Sequence, residues 1–459
     1  MQEPVADPIT PTPDVRPSAE RLNAIRDALD AHKSDEVRAL VGDLMAPDLA
    51  DLIELLDPDE RVPLIRALGT TFDPEALSEL EPSVRDQLSE ALSNAELATV
   101  VAQLDTDDAA YVLESLEEAD KQDVLAQIPS GDRAALERNF EYAEETAGRL
   151  MTTDFVAVPP FLNVGQVIDH MREADDLPET FSDIFVVDPT FRVIGSIDLS
   201  RLLRSKRSVG VDQIVDADRH VVLATDDQEA VARHFERYDL KSAPVVDANQ
   251  RLVGVVTVDD VVEVIGEETE EDLRFLAGVG DESLADTVLE TVKSRFLWLF
   301  INILTALLAS SVIKLFDASI EQMVSLAVLM PIVASMGGNA GTQTMTVTVR
   351  ALATQQLGPY NSQRVILREA SVGILNGLIF ASVMALVVLV WFGPGLLGFV
   401  IAAAMTFNLL AAGLAGILIP MALDRFGYDP AVASGVFVTM VTDIVGFFAF
   451  LGLATLVLL

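Results

Sequence analysis

Cysteine is absent from the 459 residues, which excludes disulfides and thiolate metal sites alike. Histidine is nearly so. His32, His170, His220 and His234 are scattered at no metal-ligand spacing and read as surface or packing residues. Basic side chains are few, 31 Lys and Arg against 71 Asp and Glu. Six of those acids and five of those bases lie from Phe296 onward, which leaves 65 acids against 26 bases in residues 1–295. A soluble portion with that excess of negative charge is no natural partner for nucleic acid or anionic lipid. It suits a high-salt interior, where screening acts over about 3 Å at molar salt, or a surface that collects divalent cations. No nucleophile–base pair or phosphate loop appears, so an enzyme is the least favoured class. Residues 1–17 are rich in Pro and acids and lack the apolar core of a signal peptide, and they read as a disordered tail.

What the second half has instead is long apolar runs, at about 296–316, 322–354, 366–392, 396–423 and 431–458. Each is long enough to span a bilayer. Lys293, Arg295, Arg350, Arg364, Arg368 and Arg425 flank them on one side, against Lys314 on the other. The positive-inside rule then puts the N-terminal half in the cytoplasm and the C-terminus outside. The second run is expected to be broken in its middle by Gly337, Gly338, Asn339 and Gly341. Such backbone is tolerated at membrane depth where it packs on protein or lines a water-filled path, and small-residue helix packing is the competing use of the same glycines. Asp443 falls about twelve residues into the last run. A carboxylate at the midplane costs roughly 2.5–3.5 kcal/mol even on the lenient insertion scale, so an ion-handling role is its default reading.

Residues 18–147 read as all-helical and repeat. Leu44/Leu92, Leu49/Leu97, Ala50/Ala98, Leu56/Leu104, Asp57/Asp105 and Asp59/Asp107 coincide at one offset, with apolar residues at three- and four-residue spacing. The pattern predicts a short helical solenoid with acid-rich turns.

A second repeat fills 148–272, divided at 207/208. Val187/Val246, Asp188/Asp247 and Gly195/Gly254 coincide. Each copy predicts a hairpin running into a helix, preceded by a helix at Val164–Arg172 or Gln228–Tyr238. This tandem pattern resembles a pair of CBS domains. The resemblance implies that a Gly-x-x-Thr-x-x-Asp run binds the ribose of an adenine nucleotide such as ATP, and Gly254, Thr257 and Asp260 fit it. The first copy has Ser200 and Arg201 where the second has Asp259 and Asp260, so at most one such site is implied. Eight acids then crowd into Asp259–Asp272, and Asp260, Glu263, Glu267 and Glu271 share a helical face. Like charges so spaced repel by a few tenths of a kcal/mol per pair unless solvated, screened or bridged. A helix from about Glu282 to Arg295 is expected to lead on into the membrane as a continuous rod.

The whole combination resembles the MgtE family of magnesium channels and transporters. It reads as a multidomain membrane protein with an all-α N-terminal repeat domain, α/β tandem CBS domains, a plug helix over 273–295 and a five-span helical domain over 296–459. The most specific motifs are Gly337-Gly338-Asn339-Ala340-Gly341-Thr342-Gln343 and Val441-Thr442-Asp443-Ile444-Val445-Gly446, with Asn408-Leu409 and Asp429-Pro430-Ala431 beside them. The resemblance implies a plasma-membrane homodimer that takes up Mg2+ and is shut by Mg2+ bound among its cytosolic domains. It implies pore roles for Asp443, Thr439, Asn339 and Thr342, with Glu321 at the outer mouth. It implies regulatory roles for Asp227, Glu229, Asp239, Asp260, Glu263, Glu268, Glu271 and Asp272, which Asp105 joins from the acid-rich turns. Thr342 stands where the family motif has a second Asn. An all-oxygen donor set suits Mg2+, which prefers an octahedral oxygen shell and sheds water reluctantly. The competing readings are a transporter of Co2+ or Ni2+, which the lack of soft ligands disfavours, and a Mg2+- or nucleotide-sensing scaffold that conducts nothing.

Overall fold

The computed structural model describes residues 18–459 except 175, 176, 179, 219, 281–287 and 433, together with the side chain of Glu290. The expected tail lies outside the described residues. The chain falls into two compact units, Met1–Gly266 and Glu267–Leu459.

The first unit opens on α1 (Ala19–Asp30), α2 (Ser34–Val41), α3 (Ala46–Glu54), α4 (Pro58–Leu68), α5 (Pro82–Ala91), α6 (Asn94–Val101), α7 (Thr106–Leu113), α8 (Glu118–Leu125) and α9 (Ser130–Asn139). The sequence repeat is a repeat of helix pairs, α3–α4 and α6–α7. Its leucines and alanines, Leu49, Leu97, Ala50 and Ala98, are buried. Its aspartates Asp57 and Asp105 stand at the N-caps of α4 and α7, where a carboxylate meets the positive end of the helix. Helices pack onto the next or next but one, α2 on α4, α4 on α5, α5 on α7 and α7 on α9.

After α10 (Ala147–Leu150) come two copies of one α/β unit: β1 (Ala157–Val158), α11 (Val164–Glu173), β2 (Asp183–Val187), β3 (Val193–Asp198) and α12 (Leu199–Arg204), then β4 (Val222–Leu223), α13 (Gln228–Tyr238), β5 (Ser242–Val246), β6 (Leu252–Thr257) and α14 (Val258–Ala277). Each sheet pairs its first two strands parallel and its last two antiparallel. The coincident aspartates make the turns. Asp188 accepts from the Thr190 and Arg192 amides at 2.7 and 3.0 Å, and Asp247 from those of Asn249 and Arg251 at 2.8 and 2.9 Å. The coincident glycines admit a passing chain. At Gly254 an added Cβ would lie 2.7 Å from the Thr152 carbonyl, because Thr152 and Val255 exchange backbone hydrogen bonds at 2.9 and 3.0 Å.

α14 carries the acidic run, with Val261 and Val264 on its buried side. It ends at Gly278, whose φ of +68° suits glycine. The acidic helix stops at Ala277, and the expected rod is, among the described residues, one helix that runs unbroken from Val288 to Lys314 into the first apolar run. Much of the expected plug start, 281–287, lies outside the described residues.

The second unit holds α15 (Val288–Lys314), α16 (Asp317–Gln322), α17 (Ser325–Ala353), α18 (Ser362–Phe392), α19 (Leu397–Arg425) and α20 (Ser434–Val457). Among the described residues four stretches are long and apolar enough to cross a membrane, Thr291–Lys314 within α15 and the whole of α18, α19 and α20. α17 has the length, but Asn339, Gln343 and four threonines dilute its apolar surface. The expected break at Gly337–Gly341 is also corrected, since α17 runs through those residues as one helix. Unsatisfied backbone groups are costly at that depth, and the glycines are used for packing instead. Gly341 lies against Val438 and Thr442, and Gly416 against the Gly341 carbonyl and Thr344.

Candidate functional site

Two constellations carry chemistry, one in each unit. In the first, α7 brings Asp107 and Asp108 beside Asp260 at the start of α14. Thr106 at the head of α7 ties to Thr153 through their hydroxyls at 2.9 Å. Burial first, then the charges of Asp260 and Asp108, push the Asp107 carboxyl well above the usual range. Asp108 is pushed up to about 7 by burial and by Asp260, although Ser78 donates to it. Asp260 is pushed up to about 6 by burial, against the hydrogen bonds from Thr257. One oxygen of Asp107 is buried without a hydrogen-bond partner among the described residues. Desolvated carboxylates facing one another are stable only with protons or a cation between them, and their all-oxygen donor set fits hydrated Mg2+. Among the described residues no three His, Asp or Glu side chains close round a single point.

The other expected regulatory acids are placed as follows. Asp105 is exposed at the N-cap of α7. Asp227 caps α13, accepting from the Glu229 and Ala230 amides at 3.0 and 3.3 Å, while Glu229 pairs with Arg233 at 2.6 Å. Asp239 ends α13 in the left-handed region at φ 53°. Glu263, Glu268, Glu271 and Asp272 all lie on α14, Glu263 exposed and the other three half-buried.

The residues of the nucleotide motif are engaged by contacts within the fold. Gly254 is covered by Met151 and Thr152. The Asp260 carboxylate accepts from the Thr257 amide at 3.1 Å and hydroxyl at 2.6 Å and lies beside Asp107 and Asp108. A cavity of about 180 Å3 does lie in the CBS pair. Asp183, Asp198, Asp218 and Asp239 line it, and its Lys241 is already paired with Asp198 at 3.0 Å. A triphosphate would meet four carboxylates there.

In the second unit α17 and α20 pack antiparallel: Gly337 and Gly446 both abut Asn408 of α19, and Gly341 abuts Val438 and Thr442. That register brings Asn339 and Thr342 to the depth of Asp443. Asn339, Thr342 and Thr346 form an exposed polar stripe on α17, and Thr439 is exposed on α20 with Asp443 half-buried one turn on. Among the described residues no hydrogen bond or ion pair engages the Asp443 carboxylate. The Thr439 hydroxyl donates to the Gly435 carbonyl, and the Thr439 carbonyl accepts from Thr442, both at 2.9 Å. Glu321 is exposed on α16, which Ser319 and Thr455 tie to the end of α20 through a 2.8 Å hydroxyl pair. At the opposite end, Phe275 and Leu276 of α14 pack with Met345, Val349, Ala431 and Val438. The last turn of the acidic helix thus touches the helices that carry the stripe.

Asp107, Asp108 and Asn408 are the residues whose roles the sequence reading missed. Asp107 was visible only as the repeat mate of Asp59. Asn408 was visible only as part of a motif.

The family model described as a divalent cation transporter matches residues 330–453. That of the MgtE intracellular N domain matches 44–145, and that of the CBS domain matches 147–208 and 211–267. The magnesium transporter MgtE of Bacillus subtilis (strain 168) is 32% identical over 315 residues, 68% of this chain and 70% of that one. The magnesium transporter MgtE of Thermus thermophilus is 36% identical over 320 residues, 69% and 71% of the two chains. Among solved structures, the cytosolic domain of the Mg2+ channel MgtE in complex with ATP aligns with a TM-score of 0.48 at 31% identity. It covers 53% of this chain and 99% of that one.

Proposed function

The chain belongs to the MgtE family of divalent cation transporters, and from that premise we propose that two copies form a Mg2+ pathway gated by cytosolic Mg2+. The observation that carries this reading is the polar stripe of Asn339, Thr342 and Thr346, exposed at the depth of Asp443. Polar side chains facing lipid are unfavourable, and they belong against a second protein surface or a water-filled path. A second copy meeting the first along this face supplies two Asp443 carboxylates to one hydrated ion. Asn339, Thr342 and the Thr439 carbonyl are there to hold its waters. Mg2+ keeps several waters and takes one or two carboxylates, which matches that donor count. Glu321 is the acid at the outer mouth, with the N-terminal half cytoplasmic and the C-terminus outside.

Gating follows from the first constellation. With Mg2+ scarce, repulsion among Asp105, Asp107, Asp108 and Asp260, and along Glu263, Glu268, Glu271 and Asp272, favours the cytosolic domains apart. Divalent ions bridging these acids, with Asp227, Glu229 and Asp239 contributing, reverse the sign. A shift from 1:99 to 99:1 needs about 5.5 kcal/mol of differential binding, which several weak sites supply together.

The test uses the lack of cysteine. Any single introduced Cys can form a disulfide only with the second copy, so Asn339→Cys and Thr439→Cys should cross-link to dimers, and wild-type proteoliposomes should pass Mg2+. Absence of both results would overturn the reading.

A further inference from the structure

We propose that Asn408 is the positioning residue of a hinge in α17, holding ready the hydrogen-bond partners that let the helix open at Gly337. The inference rests on the transport reading, because an opening there would move Asn339 relative to Asp443.

Asn408 is 0% exposed on α19. Its Nδ2 donates to the Val333 carbonyl at 2.8 Å. Within a helix that carbonyl is also the partner of the Gly337 amide, four residues on. The Oδ1 of Asn408 is buried with no hydrogen-bond partner among the described residues. The amide plane lies against Gly337, where an added Cβ would overlap Nδ2 and come within 3.0 Å of Oδ1. On its other side a Cβ at Gly446 would lie 2.7 Å from Nδ2.

Opening one backbone hydrogen bond at membrane depth strands a carbonyl and an amide that water cannot reach. Here both are provided for. The Val333 carbonyl already has its second donor, and the idle Oδ1 lies beside Gly337, whose N–H it can accept once released. Gly338 follows with nothing within 4 Å of where its Cβ would be, so the turn has room to swing. A side chain needed only to fill the junction would do better as leucine, since a buried oxygen without a donor is a standing penalty.

The experiment follows amide hydrogen exchange over 331–345 in the full-length protein in nanodiscs, in EDTA and in saturating Mg2+, beside Mg2+ flux. In the wild type, exchange around Gly337 should rise at least about tenfold when Mg2+ is removed. Asn408→Leu should fold, keep that exchange slow in both conditions and lose at least about tenfold in flux. Gly337→Ala, whose Cβ displaces the amide, should do the same and serves if Asn408→Leu does not fold. Equal exchange with and without Mg2+ in a wild type that conducts Mg2+ would overturn the hinge and leave transport standing, as would an undiminished rise in Asn408→Leu. A wild type that passes no Mg2+ would remove the transport reading itself, and the hinge with it.

Discussion

Asp107 of the helical domain stands beside Asp260 of the second CBS domain, and after burial the Asp260 charge adds most to the cost of ionising Asp107. Two carboxylates brought together out of water oppose the contact that holds them, and anything that neutralises them favours it.

Asp107→Asn with Asp260→Asn should therefore make docking independent of Mg2+. Removing the charges removes the repulsion, so the double variant should resist protease between its cytosolic domains in EDTA as the wild type does in Mg2+. Protection that still follows Mg2+ with an unmoved midpoint would place the sensor elsewhere.

Neutralising Glu263, Glu268 and Glu271 together should act oppositely. These acids lie on the exposed and half-buried sides of α14, where bridging ions rather than burial decide the outcome. Transport should persist at internal Mg2+ that silences the wild type, with the inhibitory midpoint raised at least about tenfold, or about 1.4 kcal/mol.

Asp443→Ala should abolish Mg2+ uptake in a transport-deficient host while the protein still reaches the membrane. Losing a carboxylate at the midplane removes both its insertion penalty and the charge that attracts the ion. Full complementation would be incompatible with the pore assignment.

Phe275→Ala with Leu276→Ala should separate docking from closure. These side chains join α14 to Met345, Val349 and Val438. Trimming partly buried side chains there should weaken that contact by about 1–3 kcal/mol. Mg2+ should still protect the cytosolic domains from protease while transport continues.

His234 sets a pH dependence of stability. Burial, then the neighbouring His220, holds it below the usual histidine range, and its Nε2 is buried with no hydrogen-bond partner among the described residues. The folded state keeps the ring neutral where the unfolded chain takes up a proton. Stability is thus full above about pH 6.5 and is lost as pH falls from there through the folded value. Between pH 7 and pH 5.5 the thermal midpoint of the wild type should fall relative to that of His234→Phe, in which this contribution is absent while the opposing ones of Asp107, Asp108 and Asp260 remain.

Local periodicity and composition were enough to specify the repeat of helix pairs, the two hairpins with their Asp turns, the apolar helices and the isolated Asp443, since each depends on residues close together in the chain. They misjudged Gly337–Gly341, because a glycine run reads alike whether it breaks a helix or lets another approach it, and only the presence of Asn408, Val438 and Thr442 decides. Asp59 and Asp107 occupy the same place in the helical repeat, yet Asp59 is exposed and Asp107 is half-buried beside Asp260, with one carboxylate oxygen fully covered. No local signal distinguishes them. Which acids are desolvated, and which oxygen of Asn408 is left without a donor among the described residues, are set largely by neighbours distant in the chain, such as Asp260 for Asp107 and Val333 for Asn408, and those the folded chain alone brings together.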